Sequence, residues 1–329
     1  MSTRAPEDKE AVAEVSRHRP LSGFWHLALL LASGLAIFLS AYQMFNVGSF
    51  LMDGDNLWGL PFMLSQAIGV NFNLLGLQYL YWLVFLLLPF VFVYWPAYKS
   101  APNEYVPWYD IFLFGLTMAV CVYFVIQGDR ILDEGWEYEV PEDAVEAQYL
   151  TYVLWALVLD ATRRAGGIAI FVIVALFSVY PFVADQLPGI LLASSPDWME
   201  IGNRMSMSNE AIFGIPMRAF GTLVIGFLIF GVALTHTGAG SFFLNLAFAL
   251  LGHVRGGPAK VAIFASGLMG SVSGSVVTNV LTTGVMTIPT MKRVGFRPAY
   301  AGGVEACAST GGVLMPPIMG ATAFVMSLF

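Results

Sequence analysis

"GSVSGSVVTNVLTTG", residues 270–284, lies inside a region that otherwise reads as membrane. Glycine, serine, threonine and one asparagine share it with Val and a single Leu, and no side chain is bulkier than that Leu. A lipid-facing helix has no use for that composition. Two readings stand: bare backbone and hydroxyls line a polar site at membrane depth, or small residues let helices pack closely.

The rest of the chain sets the class. It has 329 residues, 57% hydrophobic and 11% charged, against about 25% charged in an ordinary soluble domain. This predicts an all-α polytopic membrane protein. The net charge of -7 is carried in loops, and there is no basic patch interleaved with aromatics of the kind nucleic acid requires. Cys121 and Cys307 fall in apolar runs and read as small core residues. No zinc spacing, HExxH, nucleophile elbow or phosphate loop is present, so enzymatic chemistry is not expected. His236 and His253 read as headgroup-level residues rather than metal ligands.

Spans of ~20 apolar residues fall at residues 21–45, 77–97, 108–127 and 212–234. Residues 149–184 are too long for one crossing and carry "DATRRAGG" in their middle. Lys and Arg mark the cytoplasmic side. One long span would turn every later basic cluster outward. Two short spans, 149–162 and 167–184, keep Arg163, Arg164, Arg255, Lys260, Lys292, Arg293 and Arg297 inside with Arg4, Lys9, Arg17 and Arg19. The expectation is therefore six to seven transmembrane helices with a cytoplasmic N-terminus. The acidic segment "GDRILDEGWEYEVPEDAVEAQ" and residues 185–209 become external loops, and Asp160 with Arg163 and Arg164 an interfacial anchor. "GAGSFFLNLAFALLGHVRGG" becomes a short interfacial helix.

The same charge rule answers the opening stretch. His253, Arg255 and Lys260 precede it, and Lys292, Arg293 and Arg297 follow it. Both flanks face one side, so residues 261–289 should enter and return as a re-entrant helical hairpin. Each arm is ~20 Å of helix at 1.5 Å per residue, enough to bring a turn near "SVSGS" close to the midplane of a ~30 Å core. Such broken helices hold substrate and ion in secondary transporters. Ser271, Ser273, Ser275, Thr278 and Asn279 are the candidate ligands, and Gly270 and Gly274 permit the turn. Free carbonyls and hydroxyls suit a Na⁺ near Ser271, Ser273, Ser275 and Asn279, and helix N-termini suit a carboxylate. A second polar break, "GGVEACASTGGVLMPPIMGA", adds Glu305, Gly311, Gly312, Pro316 and Pro317 as a discontinuous helix. Glu305 is either an intramembrane functional acid or an interfacial residue paired with a base. Gly311 to Pro317 either exposes backbone to the first turn or forms a simple kink.

"HVRGGPAKVAIFASGLMGSVSGS" followed by "TIPTMKRVGFRPAYAGGVEACASTGGVLMPPIMGA" closely resembles the fused permeases of tripartite ATP-independent periplasmic (TRAP) transporters, nearest to the branch that works with TAXI-type binding proteins. "DATRR" also fits that branch. The resemblance is dense over residues 209–323 and one of layout upstream. It implies import of organic acids such as small carboxylates across the bacterial inner membrane, with delivery by a periplasmic TAXI-type binding protein. A Na⁺ gradient drives uptake, and no other cofactor is needed. It also implies a division into a cytoplasmic tail (1–20), a small-subunit-like four-helix domain (21–165), a connecting helix (166–184) and the N-terminal half of a large-subunit-like transport domain (185–329). Family members of this branch are more than twice as long and carry a second hairpin. The expectation is thus a truncated chain or half of a split permease whose partner chain carries the second half. The alternative is a non-transporting membrane scaffold fragment.

Overall fold

The computed structural model of the chain describes residues 19–21, 23–45, 76–98, 101–102, 104–274 and 276–315. Among them every regular element is a helix. Five helices are long and apolar enough to cross a membrane: Phe24–Met44, Gly76–Tyr94, Trp108–Ile126, Glu146–Phe182 and Ile215–Leu234. The chain is an all-α polytopic membrane protein. It divides into two compact units, Met1–Met217 and Arg218–Phe329.

The first unit contains α1 (Phe24–Met44), α2 (Gly76–Tyr94), α3 (Trp108–Ile126), the short α4 (Gly128–Asp133), α5 (Glu146–Val179) and α6 (Trp198–Met207). α2 is its core. Tyr81 stacks on Phe124 of α3 with ring centroids 5.3 Å apart and meets Phe213 edge-on at 4.6 Å. The Tyr79 hydroxyl shares a 2.8 Å hydrogen bond with Ser40 of α1.

α5 is two helical segments that meet at Gly167, where the chain reverses direction and whose φ of 81° and ψ of 174° suit only glycine. A straight helix would hold Tyr152 and Phe182 about 45 Å apart at 1.5 Å per residue. Their rings lie 6.5 Å apart, and those of Trp155 and Phe182 lie 6.4 Å apart. The chain therefore folds back on itself, as the expected pair of short spans would need.

Two expected loops are more ordered than their composition suggested. The acidic segment after α3 folds over a fully buried Trp136, whose indole N–H donates to Glu134 at 2.8 Å. The Arg130 guanidinium lies 5.2 Å from the centre of that ring. Charge density concealed this one large anchor. Residues 185–209 carry α6, which docks through Ile201, Ser206 and Met207. Tyr81 donates to the Ser206 carbonyl at 2.6 Å, and the Ser206 hydroxyl donates to that of Thr151 at 3.1 Å.

The Asp160 group is also deeper than an interfacial anchor. Arg164 joins Asp160 at 2.7 Å and Asp110 at 2.7 Å, and Arg19 joins Asp110 at 2.8 Å. The side chains of Arg19, Arg164 and Asp110 are at most 2% exposed. Arg19 also donates to the carbonyls of Phe92, Val93 and Pro102. Asp160, 27% exposed, and Arg163, 34% exposed and bonded to it, fit the expected role, whereas Arg164 is buried.

The second unit begins in a helical segment containing α7 (Ile215–Ala219), a π-helical turn at Phe220–Val224 and α8 (Ile225–His236). α9 (Ala239–Leu251), α10 (Gly257–Ser273), α11 (Val276–Arg293) and α12 (Pro298–Gly312) follow. α9 has 13 residues, too few to cross, as expected. Its Leu244 and Ala247 pack on Val261 and Ala265 of α10.

Candidate functional site

α10 ends at Gly274, which takes the left-handed conformation at φ 59°, ψ 4°, and α11 resumes at Val276. The arms run antiparallel. Ser266 and Thr283, equally spaced from the turn, bring their hydroxyls within 3.1 Å of each other. Lys260 on α10 and Lys292 on α11 consequently lie toward the same end of the hairpin.

α12 lies along both arms. At the base, Ala301 packs with Ala262 and Met291. Near the tip, Gly312 and Gly270 meet backbone to backbone, and a methyl group on Gly270 would overlap the Gly312 carbonyl carbon. α10 and α12 therefore run from base to tip together. Their C-terminal ends, which carry partial negative charge, converge near the N-terminus of α11.

The interior between these helices is polar. α11 turns Asn279, Thr283 and Thr287 inward while Val277, Leu281 and Val285 are exposed. Spacing of four residues puts the first three on one face. Ser266 on α10 and Glu305 and Ser309 on α12 complete the cluster, all buried. Glu305 is 0% exposed. One carboxylate oxygen accepts from Ser266 Oγ at 3.0 Å, from Thr283 Oγ1 and from Ser309 Oγ at 3.4 Å; the other accepts from Thr287 Oγ1 at 2.5 Å. Among the described residues no Lys or Arg forms an ion pair with it. The base that the interfacial reading of Glu305 calls for is not found among the described residues.

Asn279 donates through Nδ2 to the Ser266 carbonyl at 2.8 Å, which fixes the amide orientation. Its Oδ1 is buried and has no hydrogen-bond partner among the described residues. A methyl group on Gly312 would come within 2.8 Å of Nδ2.

The expected residues thus scatter in their placement. Asn279, Glu305, Gly312 and Gly274 lie in or beside the cluster. Ser271 is buried but donates to the Leu268 carbonyl at 2.6 Å, back into its own helix. Ser273 ends α10, half-buried. Thr278 and Gly311 are exposed. Ser275, Pro316 and Pro317 lie outside the described residues. α12 does stop at Gly312, at the paired glycines. Ser266, Thr283, Thr287 and Ser309 were missed. Their signal was periodicity, since Ala262, Ser266 and Gly270, then Asn279, Thr283 and Thr287, then Glu305 and Ser309 each recur at four-residue steps.

Comparison with known proteins places this arrangement in a family. Residues 153–329 match the tripartite ATP-independent periplasmic transporter, DctM component. A C4-dicarboxylate TRAP transporter large permease protein DctM of Pseudomonas aeruginosa is 36% identical over 91 residues, 28% of this chain and 21% of that protein. An ectoine/5-hydroxyectoine TRAP transporter large permease protein UehC of Ruegeria pomeroyi is 25% identical over 157 residues, 47% of this chain and 36% of that protein. A sialic acid TRAP transporter permease protein SiaT of Haemophilus influenzae is 33% identical over 102 residues, 31% of this chain and 17% of that protein. The matches thus span between about a sixth and about a third of these relatives' lengths. No solved structure matches. The family match extends over more than half of the chain and includes the whole hairpin and α12, so this chain belongs to the DctM-component family of tripartite ATP-independent periplasmic transporters.

Proposed function

We propose that the chain forms part of the membrane permease of a Na⁺-coupled secondary transporter in the bacterial inner membrane. It lies with its N-terminus in the cytoplasm and imports a small organic acid handed over by a periplasmic binding protein of the TAXI type. A chain segment carrying a second hairpin completes the transport domain. The relatives named for C4-dicarboxylate and sialic acid support an acidic substrate.

The observation that carries the ion coupling is the Asn279 amide. Its orientation is fixed by Ser266, and its Oδ1 is a buried acceptor with no partner among the described residues. An acceptor so placed wants a cation or a donor. It stands beside two converging helix C-termini, whose dipoles favour positive charge. Oxygen donors are what a hard cation takes. In this reading the ion sits at the hairpin tip, served by Asn279, the carbonyls ending α10 and Ser273. The Ser271 hydroxyl offers only its lone pairs, because its proton is already donated to Leu268.

The test is uptake in proteoliposomes holding the complete transporter and its binding protein. Asn279→Leu is expected to lower Na⁺-driven uptake at least about tenfold, the equivalent of 1.4 kcal/mol, while the protein still purifies folded. Unchanged uptake would remove Asn279 from the site.

A further inference from the structure

Glu305 is a poor candidate for the ion's own ligand. Both carboxylate oxygens are occupied by hydroxyls from all three helices of the hairpin unit: Ser266 on α10, Thr283 and Thr287 on α11, and Ser309 on α12 itself. The charged residues of these elements are Lys260, Lys292, Arg293 and, just before α12, Arg297, and none pairs with it. A buried carboxylate without a counter-charge is stabilised only by the donors around it. Those donors are therefore held where the carboxylate needs them.

We propose that Glu305 is a positioning residue, a latch that clamps both arms of the hairpin to α12 and thereby sets the separation of Gly270, Gly312 and Asn279 at the tip. The register supports this. Ser266 ties the latch directly to the tip, since its hydroxyl donates to Glu305 while its carbonyl accepts from Asn279. A shift of Glu305 moves Ser266, and a shift of Ser266 moves the Asn279 amide. The same displacement would change the backbone contact of Gly312 with Gly270, which leaves no room for even a methyl group.

The latch is also releasable. Thr283 and Thr287 each have one hydroxyl proton and more than one acceptor within reach. Besides Glu305, Thr283 reaches the Asn279 carbonyl at 2.9 Å, and Thr287 reaches the Thr283 carbonyl at 3.0 Å. Either threonine can let go of the carboxylate without losing its own bond.

This inference rests on the reading of the tip as a cation site, and two readouts separate the two. The first is the Na⁺ dependence of uptake by the complete transporter with its binding protein. Glu305→Gln keeps the shape but replaces an accepting oxygen with a donor. It is expected to raise the Na⁺ concentration for half-maximal uptake about tenfold, with substrate KM at saturating Na⁺ changed less than about twofold. Thr287→Val should shift Na⁺ dependence in the same direction, Thr287→Ser should behave as wild type, and Glu305→Gln with Thr287→Val together should be no worse than Glu305→Gln alone. Equal behaviour of the Val and Ser variants, or a change confined to substrate KM, would overturn the latch.

The second readout needs no ion. Amide hydrogen exchange of the purified protein in Na⁺-free buffer should speed up on both arms, residues 261–291, in Glu305→Gln. Unchanged exchange would overturn the proposal. Faster exchange in a protein whose uptake ignores Na⁺ would support the latch and refute the cation reading.

Discussion

Gly270 and Gly311 show how differently two glycines of one small unit behave. A Cβ on Gly270 would run into the backbone of Gly312, whereas one on Gly311 meets nothing within 4 Å. Gly270→Ala should therefore cost about 1–3 kcal/mol through overpacking. Gly311→Ala, at an exposed helical position, should be neutral or stabilising by up to about 1 kcal/mol. Thermal unfolding of the two variants in detergent measures the contrast; equal stability would mean that the helices separate freely at their crossing. Asp110 makes a second residue-scale case. Its carboxylate is flanked by two buried arginines. Asp110→Asn leaves two guanidiniums without their shared counter-charge, and a loss of about 3–5 kcal/mol is expected. Asp143→Asn removes one exposed partner of Arg130 and should cost less than about 1 kcal/mol.

At the level of elements, the chain reverses within apolar segments at two glycines. Gly167 has backbone angles open only to glycine, so Gly167→Ala should destabilise by about 1–3 kcal/mol. The loss of contact between Phe182 and Trp155 should be visible as a change in tryptophan fluorescence, and an unchanged spectrum would count against a forced reversal there. Both reversals were legible before any coordinates: one crossing at 149–184 would turn every later basic cluster outward, and basic residues flank the hairpin on both sides. The hairpin turn was equally legible, since Gly and Ser at 270–275 were the only small polar run of that length in the segment. The polar interior was less so. Attention to the turn singled out Ser271, whose hydroxyl donates into its own helix, and Thr278, which is exposed, and passed over the buried hydroxyls around Glu305. The better signal was the four-residue step through Asn279, Thr283 and Thr287, which makes α11 polar inside and apolar outside. Helical wheels of soluble proteins teach the opposite orientation. The buried Trp136 and docked α6 were hidden because acidic or mixed composition reads as loop, and a single anchoring aromatic does not alter an average.

For the molecule as a whole, the hairpin geometry makes the expected membrane disposition testable. Cysteines placed at Lys260 and Lys292 should react with an impermeant thiol reagent from the same side of the membrane. Labelling from opposite faces would show that α10 and α11 cross in succession and do not re-enter. The family match begins within α5 and continues through α12, so the part with the strongest family character is also the part that contains the polar cluster. Upstream helices supply Tyr81 and Phe124 of the aromatic core and Asp110 of the arginine–aspartate network, whose Asp160 and Arg164 already lie within the matched region.

The connection between α10 and α11 is only two residues long, Gly274 and Ser275. So short a link has no slack. Neither arm can slide lengthwise past the other, and no ligand can wedge them apart at the apex without melting a turn of helix. In the proposed transport cycle, any displacement of the apex would carry both arms together. The boundary that opens and shuts would then lie on the outer surface of this hairpin unit rather than down its middle.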